Sequence, residues 1–141
     1  MSSFTVAQAI AWASSEFSAT SDSAKLDAEV LLLHILSKPR SYLFAWPDAQ
    51  LRDEQYTQFT TCVSRRVNGE PIAHIIKERE FWSLPLEVNN STLIPRPDTE
   101  TLVEYALNLE LDDTANVLDL GTGTGAIALA LASEMPNWQV T

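Results

Sequence analysis

Residues 116–132 have the sequence Asn116-Val-Leu-Asp-Leu-Gly-Thr-Gly-Thr-Gly-Ala-Ile-Ala-Leu-Ala-Leu-Ala132. The apolar run from Val117 to Leu120 is typical of a strand buried inside a parallel sheet. Glycines alternate at positions 121, 123 and 125, where bare backbone can adopt positive φ angles beneath a ligand. Ala126 to Glu134 contains strong helix formers, so we predict a helix whose free N–H groups face that ligand.

Two classes of ligand use such a strand, glycine loop and helix. Gly121-x-Gly123-x-x-Ala126 satisfies the dinucleotide fingerprint, which tolerates alanine at its last position. The additional Gly125 and the acidic Asp119 instead resemble the first motif of class I S-adenosylmethionine-dependent methyltransferases. A carboxylate at the strand end suits a cationic amino-acid cofactor better than a pyrophosphate, which its charge would repel. We therefore favour S-adenosylmethionine and keep a nicotinamide- or flavin-dependent oxidoreductase as the alternative.

The composition narrows the choice of partners. Nineteen acidic and nine basic residues give a formal net charge of −10. This excess disfavours nonspecific attraction to nucleic-acid phosphates, so we predict no direct nucleic-acid partner and favour a protein or small-molecule substrate. No apolar run is long enough to span a bilayer, and no basic region precedes an apolar segment at the N-terminus. We expect a cytoplasmic protein that does not contact the membrane.

Metal binding is not expected. The single Cys62 has no partner for a disulfide or a metal site, and we predict that it is a small buried hydrophobe. His34 and His74 are each isolated, without a second histidine or a cysteine at the spacing of metal ligands.

The first seventy residues predict a small helical bundle. Thr5 and Gln8 have the spacing of a capping box, which predicts a first helix that runs to Phe17. A second helix is expected to follow the polar stretch 18–23 and to end near Leu36. In that helix Leu26 recurs with the other apolar residues, whereas Lys25, Asp27 and Glu29 can face water.

Two further segments complete the predicted bundle. The aromatic stretch Ser41 to Trp46 precedes Pro47 and predicts a single helical turn, whose aromatic residues we favour as part of the core over an exposed contact patch. A third amphipathic helix is expected over residues 53–67, with Gly69 as its C-terminal stop.

The pattern changes after Pro71. Ile72 to Val88 is rich in β-branched and aromatic residues, which predicts a β-hairpin with Pro85 on an edge. A helix is expected from Pro97 to about Leu109, and a second strand begins at residues 138–141. One complete parallel strand and the start of another do not make a doubly wound sheet, so we expect the front portion of a longer protein.

Four motifs, in this order, closely resemble the bacterial release-factor glutamine methyltransferases, and the similarity spans essentially the whole chain. They are Gly69-Glu-Pro-Ile-Ala-His74, Arg79-Glu-Phe-Trp-Ser-Leu84, Thr92-Leu-Ile-Pro-Arg-Pro-Asp-Thr-Glu100 and Val117-Leu-Asp-Leu-Gly-Thr-Gly-Thr-Gly-Ala126.

The resemblance implies an α/β architecture in three parts. Residues 1–70 would form an all-α helical bundle that recognises the substrate, and residues 71–95 a β-hairpin linker. Residues 96–141 would be the incomplete start of a Rossmann-like class I methyltransferase domain. The family pattern has a glycine between the two halves of the hairpin, where this sequence has Lys77.

The resemblance also implies an activity and a site. The family transfers a methyl group from S-adenosylmethionine to the side-chain amide nitrogen of the glutamine in the Gly-Gly-Gln loop of peptide-chain release factors. Its Asn-Pro-Pro-Tyr motif is not in this sequence, so no catalytic residue is assigned and the chain alone is not expected to catalyse the reaction. A non-catalytic module that binds release factors is a second reading. The implied cofactor-binding residues are Gly121, Thr122, Gly123, Thr124 and Gly125, with Asp119 at the strand end and Arg96, together with Glu100, near the entrance.

Overall fold

The computed structural model describes residues 4–141, which divide into two compact units. The first unit ends at Ile76, and the second comprises Lys77–Thr141. The helices of the first unit are α1 (Val6–Phe17), α2 (Ala24–Leu36), α3 (Ser41–Ala45), α4 (Asp53–Val67) and α5 (Ile72–Ile76). The elements of the second are β1 (Glu78–Phe81), β2 (Leu84–Glu87), a 3₁₀ turn (Pro97–Thr99), α6 (Glu100–Leu107), β3 (Asn116–Val117), α7 (Ala126–Glu134) and β4 (Gln139–Val140).

The predicted capping box begins helix α1. The Gln8 backbone N–H donates to Thr5 Oγ1 at 3.2 Å, and the Thr5 N–H donates to Gln8 Oε1 at 3.0 Å. Ala9, Ala13 and Phe17 then lie buried on one face of the helix, as their spacing predicts. The sequence therefore predicted the start, the end and the buried face of this helix.

Helix α2 buries a different face from the one that the sequence predicts. Leu26 is exposed, whereas Asp27 and Glu29, which were expected to face water, are buried. Each carboxylate is paired with an arginine from another element: Arg66 Nη2 lies 3.1 Å from Asp27 Oδ2, and Arg40 Nη2 lies 3.1 Å from Glu29 Oε2. Charged groups are buried in proteins when they are paired in this way, so these cations make the unexpected face possible.

The core of the first unit lies where α1, α2 and α4 meet. Its largest fully buried members are Phe17, Leu31, Leu32 and Phe59. Cys62 is only partly buried against this core, and that burial raises the pKa of its thiol, against a smaller opposite effect of Arg65.

The aromatic segment 41–46 belongs to the core only in part. Leu43 of α3 is buried, but Phe44 and Trp46 are exposed, contrary to the preference for a core role. A five-residue helix makes little more than one turn, so only one of its sides can face the core.

The segment from Ile72 to Val88 combines a helix with a hairpin. Its first five residues form helix α5, so the prediction of extended structure is wrong there, whereas the antiparallel pair β1–β2 confirms the hairpin. The hairpin turn consists of Trp82 and Ser83, which both have positive φ, as a two-residue type I′ turn requires. Lys77, between α5 and β1, also has a positive φ of 61°.

Replacing Lys77 with glycine should stabilise the protein by about 0.5–1 kcal/mol, because a side chain in the left-handed region carries a steric cost that glycine avoids. Thermal or urea unfolding measures the change. Lys77→Ala is the matched control, since it removes the same side chain and keeps the Cβ that causes the strain. Equal stabilisation by both variants would contradict the argument.

The second unit packs two helices against a short parallel strand pair. Strands β3 and β4 pair in parallel with Asn116 opposite Gln139, and α7 lies between them in the chain. The buried residues of the unit's core are Phe81, Leu86, Val103, Ala126, Ala130, Leu131 and Trp138. Strand β3 is shorter than predicted, and the extension of this pair to a Rossmann-like sheet stays a prediction.

None of the helices within residues 4–141 combines the length and the apolar character that crossing a bilayer requires.

Candidate functional site

The loop between β3 and α7 has the backbone conformation that its glycines predict. Gly121, Gly123 and Gly125 have φ angles of 68°, 56° and 80°. The Gly125 N–H donates to the Thr122 carbonyl oxygen at 2.9 Å and closes a turn, and the Leu129 N–H donates to the Gly125 oxygen at 2.8 Å as the helix begins. Gly125 is the N-cap of α7, which receives no side-chain cap from it.

A cavity of about 490 Å³ lies over this loop. Its volume is within the range of small-molecule sites. A Cβ placed on Gly121 or Gly123 would meet nothing within 4 Å, so the backbone faces open space. The cavity is lined by Phe81, residues 91–96, Thr99, residues 121–124, Ala126 and Ile127.

The structure brings together five of the seven residues that the resemblance implied for cofactor binding. Arg96 lines the same cavity as Gly121, Thr122, Gly123 and Thr124, although 25 positions separate it from Gly121 in the sequence. Gly125 and Asp119 do not line this cavity.

Asp119 lies at the end of the parallel strand pair. Its backbone N–H donates to the Thr141 carbonyl oxygen at 2.7 Å, which continues the β3–β4 hydrogen bonding. Its side-chain oxygen Oδ2 is buried and has no hydrogen-bond partner among the described residues. A buried acceptor without a partner is costly, so this oxygen offers a position for a donor that the described residues do not supply.

Glu100 forms a hydrogen bond with the hairpin turn. Its Oε1 accepts a hydrogen bond of 2.8 Å from the Trp82 backbone N–H. The Trp82 indole N–H donates to Glu134 Oε1, also at 2.8 Å. These bonds tie the turn to α6 and α7, and Glu100 is not among the residues that line the cavity.

Sequence reasoning missed much of the cavity wall opposite the glycine loop. The segment Ser91 to Pro95 has no regular secondary structure, and an Asx-type hydrogen bond from the Ser91 N–H to Asn89 Oδ1 holds its start. This segment adjoins Arg96 within the motif Thr92 to Glu100. That motif was the signal in the sequence that could have identified this part of the cavity wall. Phe81 is the last residue of strand β1 in the hairpin. It is buried there, and it also contributes to the cavity wall.

The second unit has a strong excess of negative charge. It contains eleven carboxylate side chains and three cationic ones, of which only Arg96 lines the cavity. The three ion pairs found within residues 4–141 all lie in the first unit. The site therefore offers one guanidinium, several hydroxyls and the backbone of the loop, and the guanidinium can pair with an anionic group of a ligand.

The residues that line the cavity are glycines, apolar residues, serine, threonine and one arginine. They include no cysteine, histidine or carboxylate that could act as a nucleophile or a general base. The chain thus combines a helical unit with a second unit whose glycine-loop cavity has the volume of a small-molecule site.

Comparison with known proteins identifies similar sequences. Residues 8–76 match the family model described as the PrmC N-terminal domain. A release factor glutamine methyltransferase of Shewanella oneidensis is 62% identical over 136 residues, which are 96% of this chain and 48% of the relative. Proteins of the same name from Vibrio cholerae and Escherichia coli are 61% and 54% identical over 86% and 85% of the chain, and these matches cover 42% and 43% of the relatives.

The chain is similar to release factor glutamine methyltransferases over most of its length, which confirms the resemblance found in the sequence. It spans about half the length of the curated relatives it matches.

Proposed function

We propose that this chain supplies the substrate-recognition domain and the cofactor loop of an S-adenosylmethionine-dependent release factor glutamine methyltransferase. The observation that carries the proposal is one cavity that joins Arg96 to the glycine loop. It occurs in a chain 62% identical to a protein named for that activity. The methyl group would go to the side-chain amide nitrogen of the glutamine in the Gly-Gly-Gln loop of a release factor.

The residues present fit S-adenosylmethionine. Bound there, this cofactor supplies an electrophilic methyl group on a sulfonium sulfur. In the proposal, the backbone of Gly121 to Gly125 binds it and leaves room for its close approach. Asp119 would support the site from the strand end, since its buried Oδ2 has no partner among the described residues and is available to accept a hydrogen bond. Arg96 lies at the entrance and can pair with a carboxylate.

Catalysis in this proposal depends on orientation. An amide nitrogen is a poor nucleophile because its lone pair is delocalised into the carbonyl group. The rate then comes from holding the nitrogen and the methyl carbon in line and from acceptors for the amide hydrogens. The residues that line the cavity provide the binding part of this task, in keeping with the lack of a base among them.

The helical unit would bind the release factor. It has a large apolar core of its own and matches the PrmC N-terminal domain over residues 8–76, so it is organised as a separate domain. Binding of a release factor by this unit alone would make the chain a recognition module, the second reading of the sequence. Calorimetry with purified release factor tests it, and an absence of heat together with an absence of co-elution would remove that role.

The cofactor assignment predicts that Gly123→Val raises the Kd for S-adenosylhomocysteine by about 100-fold, equivalent to about 2.7 kcal/mol. Valine forces a β-branched side chain into the left-handed region and into the space over the loop. Isothermal titration of the chain and the variant measures the difference.

Gly69→Val is the matched control for this experiment. Gly69 also has a positive φ and open space where a Cβ would lie, but it belongs to the first unit. Binding that is retained in Gly69→Val and lost in Gly123→Val supports the assignment, and equal losses in both variants contradict it. NADH is the competing ligand: tight NADH binding without S-adenosylhomocysteine binding would favour the oxidoreductase reading.

A further inference from the structure

The first unit contains a cavity of its own, which we call the helical cavity. It lies between one face of α1, two charged residues of α2 and two apolar residues of α3. Its volume is about 470 Å³, which is in the range of small-molecule sites. It shares no lining residue with the cavity over the glycine loop. The proposed function therefore does not account for it.

Small side chains of α1 create the space of the helical cavity. Ala7, Ile10, Ala11 and Ser14 line it, and their spacing of three and four residues places them on one side of the helix. Ala7 and Ala11 are both exposed, at positions where a surface helix usually carries longer polar side chains. Because alanine fills little volume, the surface of α1 is recessed along this side.

Helix α3 provides the apolar wall opposite. Leu43 is buried and lines the cavity with the edge of the core, whereas Phe44 lines it with a side chain that is 72% exposed. The Phe44 ring thus stands at the mouth of the cavity. An exposed phenyl ring gains free energy when an apolar ligand covers it.

The two ends of the helical cavity differ in polarity. Helices α1 and α2 pack against each other and are joined by the short connection 18–23, so they run antiparallel. Ser14 and Lys25 therefore lie toward the connected end. At the start of α1, the Ala7 N–H donates to the Pro47 carbonyl oxygen at 2.9 Å, which holds the chain after α3 at the other end. The cavity is thus polar at one end and apolar at the other.

Lys25 supplies the available charge in this cavity. Its ammonium group belongs to none of the three ion pairs found within residues 4–141. Glu29, the other charged lining residue, is neutralised by Arg40, whose Nη2 lies 3.1 Å from Glu29 Oε2. The Ser14 hydroxyl donates to the Ile10 carbonyl oxygen at 2.7 Å, so its proton is already used. A ligand therefore meets one cation beside apolar surface.

We propose that the helical cavity binds a medium-chain fatty acid, a small amphiphile with a single negative charge. Its carboxylate pairs with Lys25, and its chain lies along Ile10 and Leu43 toward Phe44. From Val6 to Ser14 the lining of α1 extends about 12 Å, which suits a chain such as that of decanoate. The inference goes beyond the proposed function and does not depend on it.

A peptide segment is the competing occupant. An extended peptide would bring N–H and C=O groups into the cavity, and each needs a partner once water is displaced. Ser14 and Glu29 are already engaged, so Lys25 alone could serve them. A fatty acid has no polar group other than the carboxylate that Lys25 can bind. A helical segment satisfies its own backbone, and competition with decanoate distinguishes that case.

The test is isothermal titration of the chain with decanoate and with decylammonium, which has the same chain and the opposite charge. We expect one decanoate per chain and a Kd about 10-fold higher for decylammonium, because Lys25 attracts only the carboxylate. Lys25→Gln should remove this preference. Lys38→Gln is the matched control: Lys38 does not line the cavity and its Nζ lies over the Tyr42 ring, so the preference should persist.

A second variant tests the location. Ala11→Leu places a larger side chain in the cavity and should raise the Kd for decanoate by about 10-fold or more. Ala45→Leu makes the same change at an exposed helical position of the first unit that does not line the cavity, and should leave the Kd unchanged. Circular dichroism verifies that each variant folds. If Ala11→Leu does not fold, the two ligands of opposite charge and Lys25→Gln decide the question.

Three results would overturn the proposal: no binding of decanoate, equal affinity for decanoate and decylammonium, or equal losses in the two leucine variants. A release factor whose binding is lost in Ala11→Leu, in a chain that does not bind decanoate, would assign the cavity to a helical segment instead. The affinity for S-adenosylhomocysteine should be the same in every variant, since the cofactor loop belongs to the second unit. A failure here is therefore distinct from a failure of the cofactor assignment.

Discussion

Replacing Arg66 with alanine should lower the free energy of unfolding by about 3 kcal/mol, because it leaves a buried carboxylate without its cation. Asp27 Oδ2 receives Arg66 Nη2 at 3.1 Å and Arg66 Nε at 3.2 Å. The hydroxyls of Ser21 and Ser23 donate to the same carboxylate at 2.8 and 3.1 Å, but neither supplies a positive charge. Urea unfolding followed by circular dichroism measures the loss.

Arg65 provides the matched control, one position earlier on the same helix. Its Nε donates to Glu70 Oε2 at 2.7 Å, but this pair is solvent-accessible, so Arg65→Ala should change stability far less. The hydrogen bond from Arg65 lowers the pKa of the Glu70 carboxyl. The contribution of this pair is therefore present above the unfolded pKa of glutamate and is lost as the pH falls through the lower folded value. Equal destabilisation by the two alanine variants would contradict the special role of Asp27.

Phe59→Ala should cost about 4 kcal/mol of unfolding free energy, more than the loss expected for Arg66→Ala. The Phe59 side chain is fully buried, and its ring meets the Trp12 ring edge-on with centroids 6.2 Å apart. Alanine removes the ring from a position where α1, α2 and α4 meet and leaves a cavity that the surrounding helices fill only in part. Chemical denaturation of the two proteins measures the difference.

Phe44→Ala is the control with the same chemical change. Phe44 is 72% exposed, so its replacement should alter stability by less than about 0.5 kcal/mol. A large loss of unfolding free energy in Phe44→Ala, or a small one in Phe59→Ala, would contradict the assignment of Phe59 to the core and of Phe44 to the surface.

The parts of the fold that local signals specify could be predicted from the sequence. The capping box of Thr5 and Gln8 and the glycine at position 69 mark helix ends through hydrogen bonds between residues that are close in the chain. The positive φ angles of the glycine loop could likewise be predicted, because few residue types other than glycine tolerate them.

The parts that depend on distant partners could not be predicted. Nothing near Asp27 in the sequence indicates that Arg66, 39 positions away, will lie beside it and permit its burial. In α2 the apolar residues run from Val30 to Leu33 without interruption, so periodicity alone does not fix which side of the helix faces the core.

The prediction of extended structure for residues 72–76 was wrong for a related reason. Ile72, Ile75 and Ile76 favour a strand by propensity, yet they form helix α5, whose five residues are too few to show a helical period. The position of the turn at Trp82 and Ser83 could not be predicted from the sequence either, because both residues are unusual in a type I′ turn. The hydrogen bonds of Trp82 to Glu100 and Glu134 help to hold this turn.

The candidate site was predicted in part, for the same physical reason. The glycine loop is recognisable because backbone conformation restricts the residue types it can contain. The opposite wall, from Ser91 to Pro95, has no such restriction and is brought to the loop by the packing of the second unit. Arg96 was identified only through its place in a family motif.

Under the proposed function, the missing side-chain cap of α7 would link the abundance of the protein to the concentration of its cofactor. Because Gly125 has no side chain, it offers no acceptor to the first N–H groups of a nine-residue helix. A ligand that provides an acceptor adds its binding free energy to the folded state alone, and the gain grows with its concentration. In a cell short of that ligand, more copies would unfold and reach the proteases, so the level of the protein would follow the metabolic state.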